Sequence, residues 1–273
     1  MPQDNPLGPP IDVHDLFPLE QRQLLELLRG LTSEQWKLPT ACAGWDVKDL
    51  AGHLLGDHLH RLSASRDGHR TAGPADGEAF PAFIHRLNDE WVTATRTLSA
   101  PVLVDILADA SAQVCDFWAG VDLFAPSIAV SWAGPDPAPM WLDMGRDYTE
   151  YWVHHQQLRE AVGLSALDDR VLVDPVVDIF MRALPYTLRE VTTNGPVTYE
   201  VGGRVWSCVR TNNKWALRPG AVGDPITAVR TDPDTFWRLC TKNASVEVVR
   251  AKIVTEGERA VAETMLKMVS IIV

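Results

Sequence analysis

The chain has 273 residues, 46% hydrophobic and 22% charged, which is normal for a packed globular protein and unlike disordered, collagenous or fibrous chains. Lys and Arg number 25 against 36 Asp and Glu, a net charge of −11, and an acidic surface of this kind repels phosphate backbones and anionic lipid heads, so nucleic acid and membrane surfaces are not expected partners. No apolar run approaches the ~20 residues of a membrane span, the start of the chain lacks a signal peptide's basic and apolar regions, so a cytoplasmic location is expected, and the length fits one large or two modest domains.

The first part reads as helices. Leu16, Leu19, Leu24, Leu27, Leu28 and Leu31 recur at helical steps. The breaker Pro39–Gly44 is followed by Asp46, a good N-cap, which predicts a helix from there to about Ser65. A third helix carries Phe80, Phe83, Ile84, Leu87, Trp91 and Leu98 on one stripe, and a fourth covers Val102 to Trp118, with Leu103, Ile106, Leu107, Val114 and Phe117. Residues 128–132 and 140–142 flank a proline-rich turn and are expected to form a short hairpin. A last helix runs from about Leu142 to Ala161, with Gly163 just past its end. Four or five helices with mostly short connections predict an up-and-down bundle.

Leu164 to Asp174 reads as a linker, after which the pattern changes. Pro175 to Glu190 looks helical with a break at Pro185. Two alternating runs, 197–201 and 204–209, flank Gly202-Gly203 and form a strong hairpin signal. Asn212-Asn213 turns the chain into 214–217, and 226–230 is a further strand. Helices follow over about 234–240, started by Thr231 or Asp232, and 258–269. The organisation expected is therefore an all-α part over 1–165 and an α+β part over 174–273.

Chemistry concentrates in the helical part. His53 shares a stripe with Leu50, Leu54 and Asp57, so it points inward, where an imidazole must find partners. A lone inward histidine is usually structural. Glu150 and His154 are one turn apart and share a face, but chance alone produces about one such acid-x-x-x-His spacing with 36 acids and eight histidines in 273 residues. Together the three could form a two-histidine, one-carboxylate divalent-metal site, since bundles gather ligands from facing helices and three protein ligands leave positions open. Asp57 could orient His53 as a supporting acceptor, or be a solvated charge. His58, His60 and His155 are rivals; His155 should face away from His154, whereas His60 could share the His53 face. The four cysteines form no C-x-x-C pair and read as free packed thiols. There is no G-x-S-x-G elbow, no G-x-G-x-x-G and no Walker loop. The ten tryptophans read as core or pocket wall.

The run from Leu31 to Trp36, then Pro39 through Gly56 (PTACAGWDVKDLAGHLLG), resembles the opening of the mycothiol-dependent maleylpyruvate isomerase-like family, within the DinB-like thiol-transferase superfamily. Glu150 through Gly163 (EYWVHHQQLREAVG) is similar to that family's metal-binding helix, except that Gln157 stands where an Asp is usual. The tail from Pro175 resembles a sterol-carrier-like domain. The resemblance implies a DinB-like four-helix bundle plus a C-terminal α+β sterol-carrier-like domain. It implies Zn²⁺ or another divalent metal on His53, Glu150 and His154, and mycothiol or a related thiol as cosubstrate for attack on a small-molecule electrophile. Asp57 and Arg230 are the catalytic candidates, with Arg218 as an alternative to the latter; the chain would act as a monomer or homodimer. A metal-dependent hydrolase in the same site and a non-enzymatic small-molecule or lipid binder are the competing readings.

Overall fold

The computed structural model describes residues 5–70 and 73–271, and the chain divides into two compact units. The helical unit comprises Val13–Asp122 and Asp147–Leu172; the mixed unit comprises the chain up to Asp12, Leu123–Arg146 and the chain from Val173. None of the described helices is long and apolar enough to cross a membrane.

The helical unit contains α1 (Phe17–Arg29), α2 (Val47–Arg61), α3 (Phe80–Thr95), α4 (Ala100–Ala119) and, from Asp147 onward, α5 (Met140–Ala161). Asp46 caps α2 as the sequence predicts, its carboxylate accepting from the Asp49 N–H at 2.9 Å. The helix ends at Arg61 and gives way to a single wider turn, Leu62–Arg66, so its predicted last turn is not α-helical. Gly52 and Gly56, one turn apart, make a notch in α2. A Cβ at either would collide with Thr95 or Trp91 of α3, and the Trp91 indole donates to the Gly52 carbonyl at 2.8 Å. In α4 the buried stripe is Leu103, Val104, Leu107, Ala110, Val114 and Trp118. Ile106 and, in α3, Phe80 lie exposed instead of buried as the periodicity implied.

A buried ion pair fixes the register of α2, α4 and α5. Asp147 accepts from Arg61 twice, Nη2 at 2.7 Å and Nε at 3.2 Å, and also from Trp118 Nε1 at 3.0 Å and the Tyr151 hydroxyl at 2.9 Å. Every donor on this carboxylate lies on one of those three helices, so none can slide by a turn without stranding a buried polar group. On another side of the core, His155 of α5 meets Glu20 of α1 at 3.0 Å.

The mixed unit holds a two-residue pairing of β1 (Pro126–Ser127) with β2 (Ala138–Pro139), lying just outside the flanks predicted to pair. Its helices are α6 (Arg170–Met181, in this unit from Val173), α7 (Leu184–Thr187), α8 (Pro233–Cys240), α9 (Val246–Val249) and α10 (Arg259–Met265). The expected linker is therefore helical from Arg170, and Pro175 lies inside α6 instead of opening it. The sheet joins β3 (Val197–Val201), β4 (Arg204–Thr211), β5 (Lys214–Pro219), β6 (Thr227–Thr231) and β7 (Val254–Gly257) in the order β5-β4-β3-β6-β7. β3 and β6 are parallel and every other pairing is antiparallel. Both tight hairpins carry two successive left-handed residues, Gly202-Gly203 and Asn212-Asn213, as turns matched to strand twist require. Asp232, not Thr231, caps α8. β7 and α9 have no counterpart in the sequence reading.

Candidate metal centre

Beside the glycine notch, α2 carries His53, which is buried at 4% exposure. Its Nε2 lies 3.2 Å from His154 Nε2 and 3.4 Å from Glu150 Oε1, and the latter two atoms are 2.9 Å apart. Among the described residues these three form the one group of His, Cys, Asp and Glu whose ligand atoms converge within 4.8 Å. The two imidazoles meet edge to face, with ring centroids 4.8 Å apart, and Trp45 walls the other side of His53 at 5.0 Å. The Glu150 side chain is 39% exposed, so the cluster opens to solvent on its carboxylate side.

The second nitrogen of His154 is tied down. Nδ1–H donates to Gln157 Oε1 at 2.7 Å, which leaves the Nε2 lone pair facing the cluster. The same amide oxygen accepts from the Cys42 thiol at 3.3 Å. Cys42 is presented by a small loop in which the Thr40 hydroxyl donates to the Trp45 carbonyl and accepts the Cys42 N–H, with Gly44 in the left-handed region at φ +84°. Sequence reasoning took the four cysteines as free thiols, mostly packed as small hydrophobes, and so missed this one beside the site. The signal available was its position in the breaker loop directly ahead of the His53 helix.

Asp57 reaches His53 Nε2 at 3.3 Å. It therefore touches the nitrogen that faces Glu150 and His154, whereas a supporting acceptor of the expected kind would take the other ring nitrogen. The rivals lie elsewhere. His58 is fully buried, its Nδ1–H donating to the Leu54 carbonyl at 2.7 Å and its Nε2 lying 3.2 Å from the Ser111 hydroxyl. His60 faces Trp91 and His155 faces Glu20. Arg230 lies on β6 of the mixed unit, its guanidinium clasped by Glu256 at 2.7 Å and Glu200 at 3.2 Å. Arg218 lies on β5 and donates to the Leu217 carbonyl.

The electrostatics are those of a pocket prepared for positive charge. Burial by itself disfavours charged His154, but the Glu150 carboxylate and the Cys42 thiol outweigh it and hold the imidazole pKa well above its usual value. Burial also opposes the Glu150 carboxylate, and His154 and His53 outweigh that, holding it well below the usual range. Asp57 goes the other way: burial lifts its carboxyl to about 6, against the pull of His53 and with the push of Glu150. Two imidazole nitrogens and a carboxylate oxygen at these separations can hold a proton or a divalent cation between them.

A family profile described as the mycothiol maleylpyruvate isomerase N-terminal domain matches residues 17–159. Among solved structures, the chain resembles a mycothiol-dependent maleylpyruvate isomerase at 11% identity and a TM-score of 0.54, over 90% of this chain and 92% of that one. A histidine-to-alanine variant of a mycothiol-dependent maleylpyruvate isomerase matches at 11% identity, a TM-score of 0.52 and the same coverage. At this identity the likeness establishes a shared fold. No curated protein matches the chain significantly.

Proposed function

Because the chain belongs to the mycothiol maleylpyruvate isomerase N-terminal domain family, we propose that it is a divalent-metal-dependent thiol transferase or isomerase, using mycothiol or a related low-molecular-weight thiol against a small conjugated electrophile. The helical unit is read as a DinB-like four-helix bundle of α1, α2, α4 and α5, and the mixed unit as sterol-carrier-like. The observation that carries the proposal is the convergence of His53, Glu150 and His154 inside the matched stretch.

The donor set suits a metal such as Zn²⁺. Two ligand atoms each about 2 Å from one tetrahedral ion lie roughly 3.3 Å apart, and the separations here are 3.2, 3.4 and 2.9 Å. When bound, a divalent ion supplies a Lewis acid that keeps a thiol deprotonated at neutral pH. His53 and His154 offer Nε2 to it, and Glu150 offers a carboxylate oxygen and neutralises one charge. Gln157 keeps His154 in the required tautomer. Asp57, whose Oδ2 lies 3.3 Å from His53 Nε2 and which is not among the three ligands, would take the proton the thiol gives up. Trp45 keeps water from the His53 face. The thiol sulfur then adds to the electrophile. In an isomerisation the bond beside the new carbon–sulfur bond rotates and the thiol leaves again, so it is regenerated; in a transfer it stays. Arg230, clasped by Glu200 and Glu256, would have to leave both to meet an anionic intermediate.

The test is turnover of maleylpyruvate and of generic conjugated electrophiles with a panel of thiols. The proposal expects thiol-dependent turnover in the native chain that is lost in His53→Ala, Glu150→Ala and His154→Ala. Thiol-dependent turnover that survives all three substitutions overturns it.

A further inference from the structure

The mixed unit contains a cavity of about 530 Å³ bounded by the segment running to Asp12, by α6 and by β4 and β5. Its volume is that of a small-molecule site. All of its lining residues belong to this one unit.

One wall of the cavity is Arg182, a residue only 2% exposed. Its neighbour one turn back, Asp178, is the obvious counter-ion, but both carboxylate oxygens of Asp178 are already taken: Oδ2 by Arg204 Nη2 at 2.9 Å and Oδ1 by the Trp206 indole at 2.7 Å. Among the described residues no carboxylate lies within ion-pair distance of Arg182; Asp178 acts on it only as a nearby negative charge, which the Arg204 cation opposes. Nη1 donates to the Leu7 carbonyl, Nε has no partner, and the Trp141 ring lies 5.7 Å away. Neutral carbonyls and ring faces are poor compensation for a buried cation, and a buried charge is ordinarily paired. Burial pulls the Arg182 pKa down to about 10, which leaves the group charged at neutral pH. The backbone beside it is built close to the guanidinium. Gly8, at φ +80°, passes so near that a Cβ would sit 2.6 Å from Nη1, and the Pro6 carbonyl pins this segment by accepting from the Leu217 N–H at 2.9 Å.

We infer that this cavity is a binding site for a small organic monoanion, whose carboxylate pairs with Arg182 and whose apolar body lies against Ile11, Val205 and Trp206. A carboxylate matches the planar guanidinium. The other charged groups on the wall are Asp12, Asp178 and Arg204, and Arg204 is already held by Asp178 at 2.9 Å, so a second negative charge on the ligand would find no second uncommitted cation on this wall. The inference is independent of the metal centre, because no residue of that centre takes part.

The experiment is calorimetric titration of the full chain with benzoate, with hexanoate and with the neutral benzamide. Saturable 1:1 binding of a carboxylate, with benzamide binding at least roughly tenfold more weakly, is expected from loss of a charge-assisted pair. Arg182→Gln should weaken benzoate binding by a similar factor. Ile11→Trp, which fills the cavity and leaves the guanidinium in place, should abolish it, and this second variant decides the matter if the first does not fold. No saturable binding of either carboxylate, or benzoate binding unchanged in Ile11→Trp, overturns the inference. Loss of thiol-dependent turnover in the metal-ligand variants bears only on the metal centre.

Discussion

Asp147→Ala should be the most damaging single change in the helical unit outside the metal ligands. Asp147 is 8% exposed, and its carboxylate accepts from Arg61 twice, from Trp118 and from Tyr151. Its removal deprives a guanidinium whose side chain is 6% exposed of its Asp147 counter-charge, at a cost of about 3–5 kcal/mol. The stranded indole N–H and phenol add about 1 kcal/mol or more. The sum approaches the whole stability of many domains, ~5–15 kcal/mol. Asp147→Asn keeps an acceptor and should lose less, about 2–3 kcal/mol. The paired replacement Arg61→Met with Asp147→Leu should recover most of the loss, to within about 1–3 kcal/mol of the native chain, because neither charge is then buried alone while the Trp118 and Tyr151 donors stay stranded. Urea unfolding followed by circular dichroism at a helical wavelength reads all three. A loss under ~1 kcal/mol for Asp147→Ala, or a double variant as weak as the single one, would refute the assignment of register control to this carboxylate. Asp147 also lies one turn before Glu150, so the Asn variant, where folded, should bind divalent metal more weakly than the native chain.

His58 makes acid stability measurable at a single residue. Burial holds its pKa down to about 4 against an ordinary 6.5, so the neutral form belongs to the fold. Its contribution is complete above pH 6.5 and is lost as the pH falls from there toward 4, amounting to about 2 kcal/mol by pH 5 and about 3 kcal/mol in full; His58→Gln should flatten the fall in urea midpoint between pH 7 and 5, and an unchanged slope would rule His58 out as its source. Gly56→Ala should force Trp91 off α2, lowering stability by about 1–3 kcal/mol, with a shift in tryptophan emission; an unaltered melting temperature would contradict the close approach of α3. Gln157→Leu should weaken metal binding about tenfold or more by releasing His154 Nδ1, and Gln157→Glu should restore it; equal affinity in the native and Leu chains would remove Gln157 from its positioning role.

Much of the fold was legible because periodicity and punctuation agree. The Asp46 cap, the Gly202-Gly203 hairpin and the amphipathic stripes of α1 and α4 each follow from local chemistry that tertiary packing reinforces. Where the reading failed, packing overrode pattern. Ile106 and Phe80 fit a helical stripe but lie outside the buried sector. Pro175 opens a helix on sequence rules, yet α6 begins at Arg170 and includes it. β7 is too short, and too exposed along most of its length, to carry an alternating pattern. The three candidate ligands were legible through helix-face arithmetic, since α2 and α5 are long and their register is fixed by inward residues. Cys42 was not, because which way a loop turns its thiol depends on the Thr40 and Gly44 contacts, and these have no periodic signature. The cavity around Arg182 was invisible for a similar reason: it joins residues 9–12 with residues far along the chain, 178–219.

The central claim is that His53, Glu150 and His154 hold one divalent ion. Elemental analysis of untagged protein, prepared without chelator and reloaded with Zn²⁺ at equimolar excess, tests it without reference to any substrate. The account predicts close to one ion per chain, falling to background in folded His53→Ala, Glu150→Ala and His154→Ala. A native chain that retains no ion after reloading, or variants that retain as much as the native chain, would contradict it.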